Sequence, residues 1–174
     1  MGPGKLSVDV RPATAGDLAQ IAEIFGWYAA HSVATFEEAP RSVARWSRHA
    51  SQLADLGLPF LVAADGPAVA GYAYAGPWRP KPAYRATVED SVFLAPDRTG
   101  QGIGKRLLTD LIGACAKARV RQIIAVIADS GDPASERLHE ACGFRHAGRL
   151  TDVGFKHGRW IDTILLQRTL AESR

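Results

Sequence analysis

The stretch that decides the fold is residues 87–105, TVEDSVFLAPDRTGQGIGK. Its first part, residues 87–94, is rich in β-branched and apolar residues and predicts a strand. A turn follows at residues 96–102, and apolar side chains then recur at helical spacing. The expected apolar face of that helix consists of Ile103, Leu107, Leu108, Leu111, Ile112 and Cys115. The sequence therefore predicts a strand, a glycine-rich turn and an amphipathic helix in succession.

Three alternating glycines, Gly100, Gly102 and Gly104, lie where this helix begins. The first backbone N–H groups of a helix have no partner within it, and the helix dipole adds positive charge, so this place favours a phosphate or pyrophosphate. Arg98 and Lys105 supply charges that suit the same ligand. A tight glycine turn that binds nothing is the alternative interpretation.

Two common nucleotide motifs do not fit the turn. Thr99 stands where a Walker A loop has its first glycine, and Arg106 stands where it has Ser or Thr. In a Rossmann fingerprint the third glycine would fall at Lys105. Nucleotide hydrolysis is therefore disfavoured.

The rest of the chain predicts further strands and helices around this unit. Strands are expected at residues 7–11, 60–64, 69–75, 122–127, 144–153 and 160–169, and helices at residues 18–25, 42–56 and 134–142. The β-branched run 122–127 predicts a strand buried on both faces. The order of elements predicts an α/β fold with a mixed sheet, whose central strand–turn–helix–strand unit covers residues 87–127.

Composition indicates one soluble domain. The chain has 174 residues, 47% hydrophobic and 22% charged, with a net charge of +3 spread over mixed signs. This charge pattern disfavours nucleic-acid binding, and no apolar run approaches the roughly 18 residues of a membrane helix. No secretory signal precedes residue 6, so we expect a cytoplasmic protein. Cys115 and Cys142 have neither disulfide nor metal-site spacing.

Several strings resemble one enzyme family. Residues 92–96 (VFLAP), 102–108 (GIGKRLL) and 138–144 (LHEACGF) resemble the coenzyme A signature and the next landmark of the GCN5-related N-acetyltransferases (GNAT). The resemblance covers nearly the whole chain and narrows to the phosphinothricin and methionine sulfoximine acetyltransferases. That narrowing rests on residues 34–37, 71–73, 78–79, 87–89 and 154–160, of which the last (GFKHGRW) is the most distinctive.

The resemblance implies a fold and a co-substrate. The fold is the GNAT fold, a mixed, mostly antiparallel sheet flanked by helices, in one domain over residues 1–174 with its core at about 6–170. The co-substrate is acetyl-CoA, and the implied contacts with it are Val92, Phe93, Leu94, Arg98, Thr99, Gly100, Gln101, Gly102, Ile103, Gly104, Lys105, Asp132 and Ser135. Two positions depart from the family pattern: Thr99 replaces Gln or Arg, and Asp132 replaces Asn.

Acetyl transfer to an amine needs a base for the amine, a donor for the carbonyl oxygen and a proton for the thiolate. Glu89 is the expected general base, acting directly or through a water, and a solvated carboxylate paired with Arg85 or Lys81 is the alternative. His139 stands where many relatives have a Tyr near the sulfur, so we expect it to exchange a proton there, or else to be a packed histidine. The resemblance implies that a splay between strands frees a backbone N–H in residues 91–94 as oxyanion donor. Cys142 is disfavoured as an acyl-enzyme nucleophile.

The expected acceptor is a small amino acid or analogue, such as phosphinothricin, methionine sulfoximine or methionine sulfone, acetylated on its α-amine by direct transfer in a ternary complex. Its oxygens need cations and its methylenes an apolar wall. The predicted acceptor-binding residues are Phe36, Trp78, Arg79, Tyr84, Arg85, Thr87 and Lys156. In relatives the string 156–160 reaches a neighbouring subunit, so the resemblance implies a homodimer. No metal is expected.

Two other functions remain open from the sequence. A GNAT enzyme that acetylates another small amine or a protein N-terminus would tolerate the loss of Arg79 and Arg85. A non-catalytic acyl-CoA-binding sensor would keep the glycine turn, but it would need neither Glu89 nor His139.

Overall fold

The computed structural model describes residues 8–170 of the chain. The strands are β1 (Asp9–Pro12), β2 (Phe60–Asp65), β3 (Ala68–Pro77), β4 (Thr87–Leu94), β5 (Gln122–Ala128), β6 (Arg145–Lys156) and β7 (Arg159–Thr169). The α-helices are α1 (Leu18–His31), α2 (Val43–Asp55), α3 (Ile103–Lys117) and α4 (Ala134–Ala141). Over this range no helix is long and apolar enough to cross a membrane. The predicted strand 7–11 is confirmed at β1, although its first residue lies outside the described range.

The strands form one sheet in the order β1-β2-β3-β4-β5-β7-β6. The pairing of β4 with β5 is parallel, and α3 makes the crossover between them. The other pairings are antiparallel. The prediction of a mixed, mostly antiparallel sheet with helices around it is therefore confirmed.

The parallel pairing is short, and the two strands then separate. Within the described residues β4 and β5 pair only from Thr87–Gln122 to Glu89–Ile124, although β4 continues to Leu94 and β5 to Ala128. We call the resulting opening, between residues 90–94 and 125–128, the fork. A separation of this kind leaves main-chain groups without a sheet partner.

Backbone bonds to β3 decide which groups of β4 face the fork. The N–H of Trp78 donates to the Thr87 carbonyl at 3.3 Å, and the N–H of Ala95 donates to the Ala70 carbonyl at 2.9 Å. With the β3–β4 register, these bonds direct the odd-numbered residues of β4 to β3. The amides of Val92 and Leu94 therefore face the fork.

Side chains of β4 alternate between two apolar clusters on opposite faces of the sheet. Val88, Val92 and Leu94 belong with α3 and α4, whereas Phe93 packs with α1 and α2. Odd-numbered residues of β4 therefore face α1 and α2, and even-numbered residues face α3 and α4.

Two predictions about the sheet need correction. β5 is not buried on both faces: its burial alternates, and Val126 is 36% exposed, because α1 packs over β3 and β4 rather than over β5. The last two strands are longer than the predicted 144–153 and 160–169. They meet at a tight turn in which His157 (φ 52°) and Gly158 (φ 75°) are both left-handed, the geometry of a two-residue hairpin.

Helix starts follow the sequence signals. The Thr14 N–H donates to Asp17 Oδ2 at 2.7 Å ahead of α1, and Arg11 Nη1 donates to the same oxygen at 2.8 Å. At α2 the Ser42 hydroxyl accepts from the Arg45 N–H at 3.2 Å, as expected of an N-cap serine. These contacts fix where the two helices begin over the sheet.

Candidate active site

Glu89 stands on β4 at the edge of an open space on the α1–α2 face of the sheet. Its partner across the ladder is Gly76, and a Cβ added to Gly76 would meet no atom of residues 8–170 within 4 Å. Directly paired residues point to the same face, so two further pairs border this space. We call it the basin, and its members are Gly76, Glu89, the pair Trp78–Thr87 and the pair Tyr74–Ser91.

The electrostatic environment of Glu89 suits a base. Burial raises the pKa of its carboxyl, the neighbouring charge of Asp90 raises it further, and the charge of Arg79 opposes both effects. The Arg79 guanidinium lies 4.9 Å from the ring centroid of Trp78. A carboxylate with a raised pKa, beside a positioned cation, can accept a proton closer to neutral pH than an exposed one can.

His139 lies on the opposite face of the sheet from Glu89. The His139 and Asp90 residues are 4% and 7% exposed, and His139 Nε2 is 2.9 Å from Asp90 Oδ2. Nδ1 donates to the Ser135 carbonyl at 2.7 Å. Both ring nitrogens are therefore occupied, and the two predicted catalytic residues are not brought together.

The same contacts determine the charge of His139. Burial lowers its pKa, but the hydrogen bond and charge of Asp90, with the Ser135 carbonyl, outweigh burial and raise it overall. Because Nδ1 is bonded to a carbonyl, it carries a hydrogen, so Nε2 needs a second hydrogen to bond a carboxylate. The geometry therefore favours an imidazolium paired with Asp90. The other carboxylate oxygen, Asp90 Oδ1, is buried and has no hydrogen-bond partner among residues 8–170.

The glycine turn is open at two of its three glycines. Gly100 (φ 72°) and Gly102 (φ 80°) are left-handed, and a Cβ on either would meet no atom of the described residues within 4 Å. Gly104 differs, because it is buried and its Cβ would lie 3.3 Å from Leu138 Cδ2. Gly100 and Gly102 therefore leave the N-terminus of α3 accessible, whereas Gly104 lets α3 pack against α4.

Side chains of the turn are largely engaged within the protein. Arg98 Nη2 forms an ion pair with Asp65 Oδ2 at 2.6 Å, so this predicted phosphate ligand is bound to the end of β2. Thr99 Oγ1 lies 3.4 Å from the Pro96 carbonyl, and Gln101 Nε2 lies 3.3 Å from the Asp97 carbonyl. Lys105 is exposed on the first turn of α3. Binding of an anion here would rest on main-chain N–H groups and Lys105.

Two of the predicted acetyl-CoA contacts lie at the start of α4. The Asp132 carboxylate accepts from the Ala134 N–H at 3.0 Å, which forms an Asx turn directly before α4. Ser135 is exposed and its carbonyl is bonded to His139. Both residues thus help to fix α4 beside the fork.

The predicted acetyl-CoA contacts on β4 and at the start of α3 present main-chain groups to a ligand, because their side chains are packed inside the protein. The Phe93 ring is packed against Phe25, Tyr28 and Tyr72 at centroid distances of 5.9, 5.2 and 5.6 Å. The Ile103 side chain belongs to the cluster between α3 and the sheet. The Leu94 carbonyl accepts from the Tyr28 hydroxyl at 2.8 Å. What remains open is the row of amides facing the fork.

Lys156 and Phe36 join β6 to the α1–α2 loop. The Lys156 residue is 3% exposed, and Nζ donates to the carbonyls of Thr35 at 2.7 Å and Glu37 at 2.9 Å. Burial lowers its pKa, opposed by the charge of Glu38. Lys156 is therefore a cross-link of the loop rather than a free cation, which changes the interpretation of this predicted acceptor ligand.

The loop is held by a second contact. A Cβ on Gly154 would overlap the Phe36 ring at Cε2 and Cζ, so only glycine lets Phe36 lie against β6 in this way. The strings 34–37 and 154–160, recognised separately in the sequence, thus touch each other within one chain.

The remaining predicted acceptor residues, Tyr84 and Arg85, lie on the segment that connects β3 to β4. Tyr84 is 43% exposed, and Arg85 Nη1 donates to the Pro82 carbonyl at 3.3 Å. Among the predicted acceptor residues, Trp78 and Thr87 border the basin, and Arg79 acts on Glu89 by charge. Three further residues that border the basin were not predicted from the sequence: Gly76, Tyr74 and Ser91. Strand alternation from Glu89 would have found Ser91.

Comparison with known proteins identifies the class. A model described as the acetyltransferase (GNAT) family matches residues 21–144. A phosphinothricin N-acetyltransferase of Alcaligenes faecalis is 48% identical over 161 residues, covering 92% of this chain and 82% of that protein. An L-methionine sulfoximine/L-methionine sulfone acetyltransferase of Pseudomonas aeruginosa is 36% identical over 170 residues, covering 97% and 98%.

A solved structure agrees with these relatives. The crystal structure of a GNAT superfamily phosphinothricin acetyltransferase from Sinorhizobium meliloti, in complex with AcCoA, matches with a TM-score of 0.90 and 45% identity, covering 95% of this chain and 89% of that one. The fold and these relatives together define an acetyltransferase. The chain belongs to the GNAT family, and the predictions of that fold and of N-acetyltransferase activity are confirmed.

Proposed function

We propose that this protein transfers the acetyl group of acetyl-CoA to the α-amine of a small amino-acid analogue, with phosphinothricin and methionine sulfoximine or sulfone as acceptors. The observation that carries the proposal is Glu89, a carboxylate whose pKa is raised, at an open basin one residue before the fork. The names of the similar proteins supply the acceptor class. In a cell, this cytoplasmic reaction would confer resistance to such analogues.

The chain's own groups fit acetyl-CoA. The open N-terminus of α3 at Gly100 and Gly102 suits its pyrophosphate, with Lys105 adding charge. The amides of Val92 and Leu94 suit the amide-bearing pantetheine arm, which can pair with a free strand edge. Bound there, acetyl-CoA supplies an acetyl group activated as a thioester.

Glu89 takes the proton that the acceptor's ammonium must lose before its nitrogen can attack. One of the two fork-facing amides, that of Val92 or Leu94, donates to the carbonyl oxygen on which negative charge develops, and the other is left for the pantetheine arm. As the new C–N bond replaces the C–S bond, the attacking nitrogen loses its second proton. That proton ends on the departing thiolate as the free thiol, and the first proton passes from Glu89 to water. A positioned base contributes on the order of 10²- to 10⁴-fold.

Direct transfer in a ternary complex requires no nucleophile from the protein. Cys142 is 7% exposed, and burial raises the pKa of Cys115 to about 12, with the charge of Asp90 adding to the effect. Neither thiol is suited to attack a thioester. We therefore assign no covalent acetyl-enzyme, and we assign His139 to holding α4 through Asp90.

The acceptor's oxygens would meet Arg79 and, from the β3–β4 segment, Arg85. Trp78 and Tyr84 would cover its methylenes, and Thr87 would bond it from the basin wall. Phe36 would approach from the α1–α2 loop, whose place Lys156 fixes. Discrimination between analogues then depends on side-chain geometry around a small ligand.

We further propose a homodimer formed through β6. This strand is at the edge of the sheet, and its exposed apolar side chains continue onto β7. They are Leu150 (46%), Val153 (50%), Phe155 (56%) and Trp160 (63%), with the Phe155 and Trp160 rings 5.1 Å apart. Trp160→Glu should shift the mass in light scattering toward the monomer, whereas Val43→Glu, at an exposed apolar residue on α2, should not.

The deciding experiment mixes the purified protein with acetyl-CoA and a panel of amines while free thiol is followed. The panel contains phosphinothricin, methionine sulfoximine, methionine sulfone, ordinary amino acids, polyamines and a peptide with a free N-terminus. We expect rapid thiol release with the amino-acid analogues. Release with the peptide alone, or acetyl-CoA binding without release, would replace the proposal by a protein acetyltransferase or a sensor.

A further inference from the structure

The basin has a floor without a side chain. Gly76 and Glu89 are directly opposed on β3 and β4. A Cβ at residue 76 would therefore point to the same face as the Glu89 Cβ and lie roughly 4.5–5.5 Å from it. A Cβ at residue 76 would meet no atom within 4 Å in the part of the chain that the structure describes. Hence the open volume beside the Glu89 carboxylate exists because residue 76 is glycine.

Backbone conformation does not explain this glycine. Its φ is not in the left-handed region, unlike Gly100 or Gly102. It allows no close approach of the kind seen at Gly71, where a Cβ would lie 2.8 Å from the Phe93 carbonyl oxygen. In a strand interior glycine costs stability and β-branched residues are favoured. Folding alone thus gives no reason for glycine here.

From these observations we infer that Gly76 is a specificity-determining residue of the acceptor site. The acceptor's amine must reach Glu89, so the carbon that bears the amine, with its carboxylate and side chain, has to occupy the space above Gly76. A side chain at residue 76 would take that space. The inference rests on the proposed function, since it assumes that Glu89 receives the acceptor's proton.

The walls of the basin indicate which acceptors the floor admits. Trp78 with Thr87 stands on one side and Tyr74 with Ser91 on the other. Because the two strands fix the positions of these walls, the size of residue 76 sets the depth of the basin. An amine on a carbon with two further substituents, as in an α-amino acid, therefore needs glycine at residue 76.

The test compares Gly76→Ala and Gly76→Val with the wild type, using phosphinothricin as acceptor. We expect kcat/KM for the acceptor to fall about 10-fold for Ala and about 100-fold or more for Val, because one to three methylene-sized groups in a tight site have effects of this order. The Kd for acetyl-CoA and the Tm should stay near the wild type. Gly113→Ala and Gly113→Val are matched controls, since the Gly113 Cβ on α3 also meets open space and lies away from the basin.

A second measurement does not depend on turnover. Gly76→Cys should react with a small methanethiosulfonate reagent, while wild-type Cys115 and Cys142, both buried, should react slowly. Phosphinothricin, supplied well above the KM that the Gly76→Cys variant itself shows for it, should slow the labelling of Cys at residue 76, because the acceptor occupies the space above it.

The outcomes separate the two ideas. A folded Gly76→Val variant with wild-type kcat/KM, or labelling that phosphinothricin does not slow, would overturn the inference while leaving an active wild type as acetyltransferase. A wild type that acetylates none of the amino acids would overturn the proposed function, and the inference with it.

Discussion

His139 Nε2 and Asp90 Oδ2 lie 2.9 Å apart in a pair that connects α4 to β4 next to the fork. In the chain α4 follows β5, and β5 separates from β4 at the fork. The pair therefore bridges the two sides of the opening. It therefore stabilises the region where the sheet opens, and its loss should lower the free energy of unfolding.

We expect Asp90→Asn to destabilise the protein by about 3 kcal/mol, because an unpaired buried partner is costly. The pKa of His139 is raised above 6.5, so the pair's contribution is fully present below pH 6.5 and is lost as pH rises through the folded value. Urea unfolding at pH 6 and pH 9 measures this difference. Asp110→Asn, at an exposed residue of α3, is the control, and a difference from wild type that does not change with pH would refute the assignment.

Glu89→Gln should lower kcat about 10²-fold or more while the Kd for acetyl-CoA stays near the wild type. The base must be deprotonated, so wild-type kcat should rise with pH through the raised pKa of Glu89, and the variant should lack this rise. Steady-state rates across pH provide the measurement. Glu23→Gln on the exposed side of α1 should behave as wild type, and a Glu89→Gln enzyme with an unaltered pH profile would remove Glu89 as base.

Gly102→Ala should raise the KM for acetyl-CoA about 10-fold, because a side chain would stand over the amides at the start of α3. Gly57→Ala is its matched control. Both glycines are left-handed, with φ of 80° and 66°, and both have open space around the added Cβ, so each substitution should cost about 1–2 kcal/mol of strain. Equal KM values in the two variants would contradict the anion site.

Gly154→Ala should destabilise the protein by about 1–3 kcal/mol and raise the KM for the acceptor, because the new Cβ displaces the Phe36 ring from β6. In the double variant Gly154→Ala/Phe36→Ala the ring is absent, so the added Cβ has nothing to displace. A double-mutant cycle in urea should show a coupling above 0.5 kcal/mol, the lower end expected for contacting residues. Additive effects would mean that the two residues do not depend on each other.

Local sequence patterns were enough to predict most of the fold. Alternation and helical spacing placed β4 at residues 87–94 and began α3 at Ile103, as observed. The parallel β4–β5 pairing follows from the crossover through α3. The exposed face of β5 was mispredicted because an apolar run shows only that both faces of the strand could be buried. Whether a helix covers each face depends on where helices distant in sequence pack.

The site was less predictable than the fold. A lysine near an acceptor site suggests a free cation, but the fold gives Lys156 two carbonyl partners on a loop more than a hundred residues away in sequence. Arg98 likewise forms an ion pair with Asp65 at the end of β2. Such pairings arise from tertiary contacts that charge and spacing do not encode.

Neighbouring residues of β4 have different roles because their side chains point to opposite faces of the sheet. Glu89 borders the basin, and Asp90 holds α4. Moving the strand by one position against β3 would exchange them, carrying a carboxylate into the apolar cluster and the ion-pair partner into the basin. Insertions or deletions between Pro77 and Thr87 are therefore compatible with activity only when the connecting segment absorbs them. The length of this segment can change during evolution only when the register between β3 and β4 stays the same.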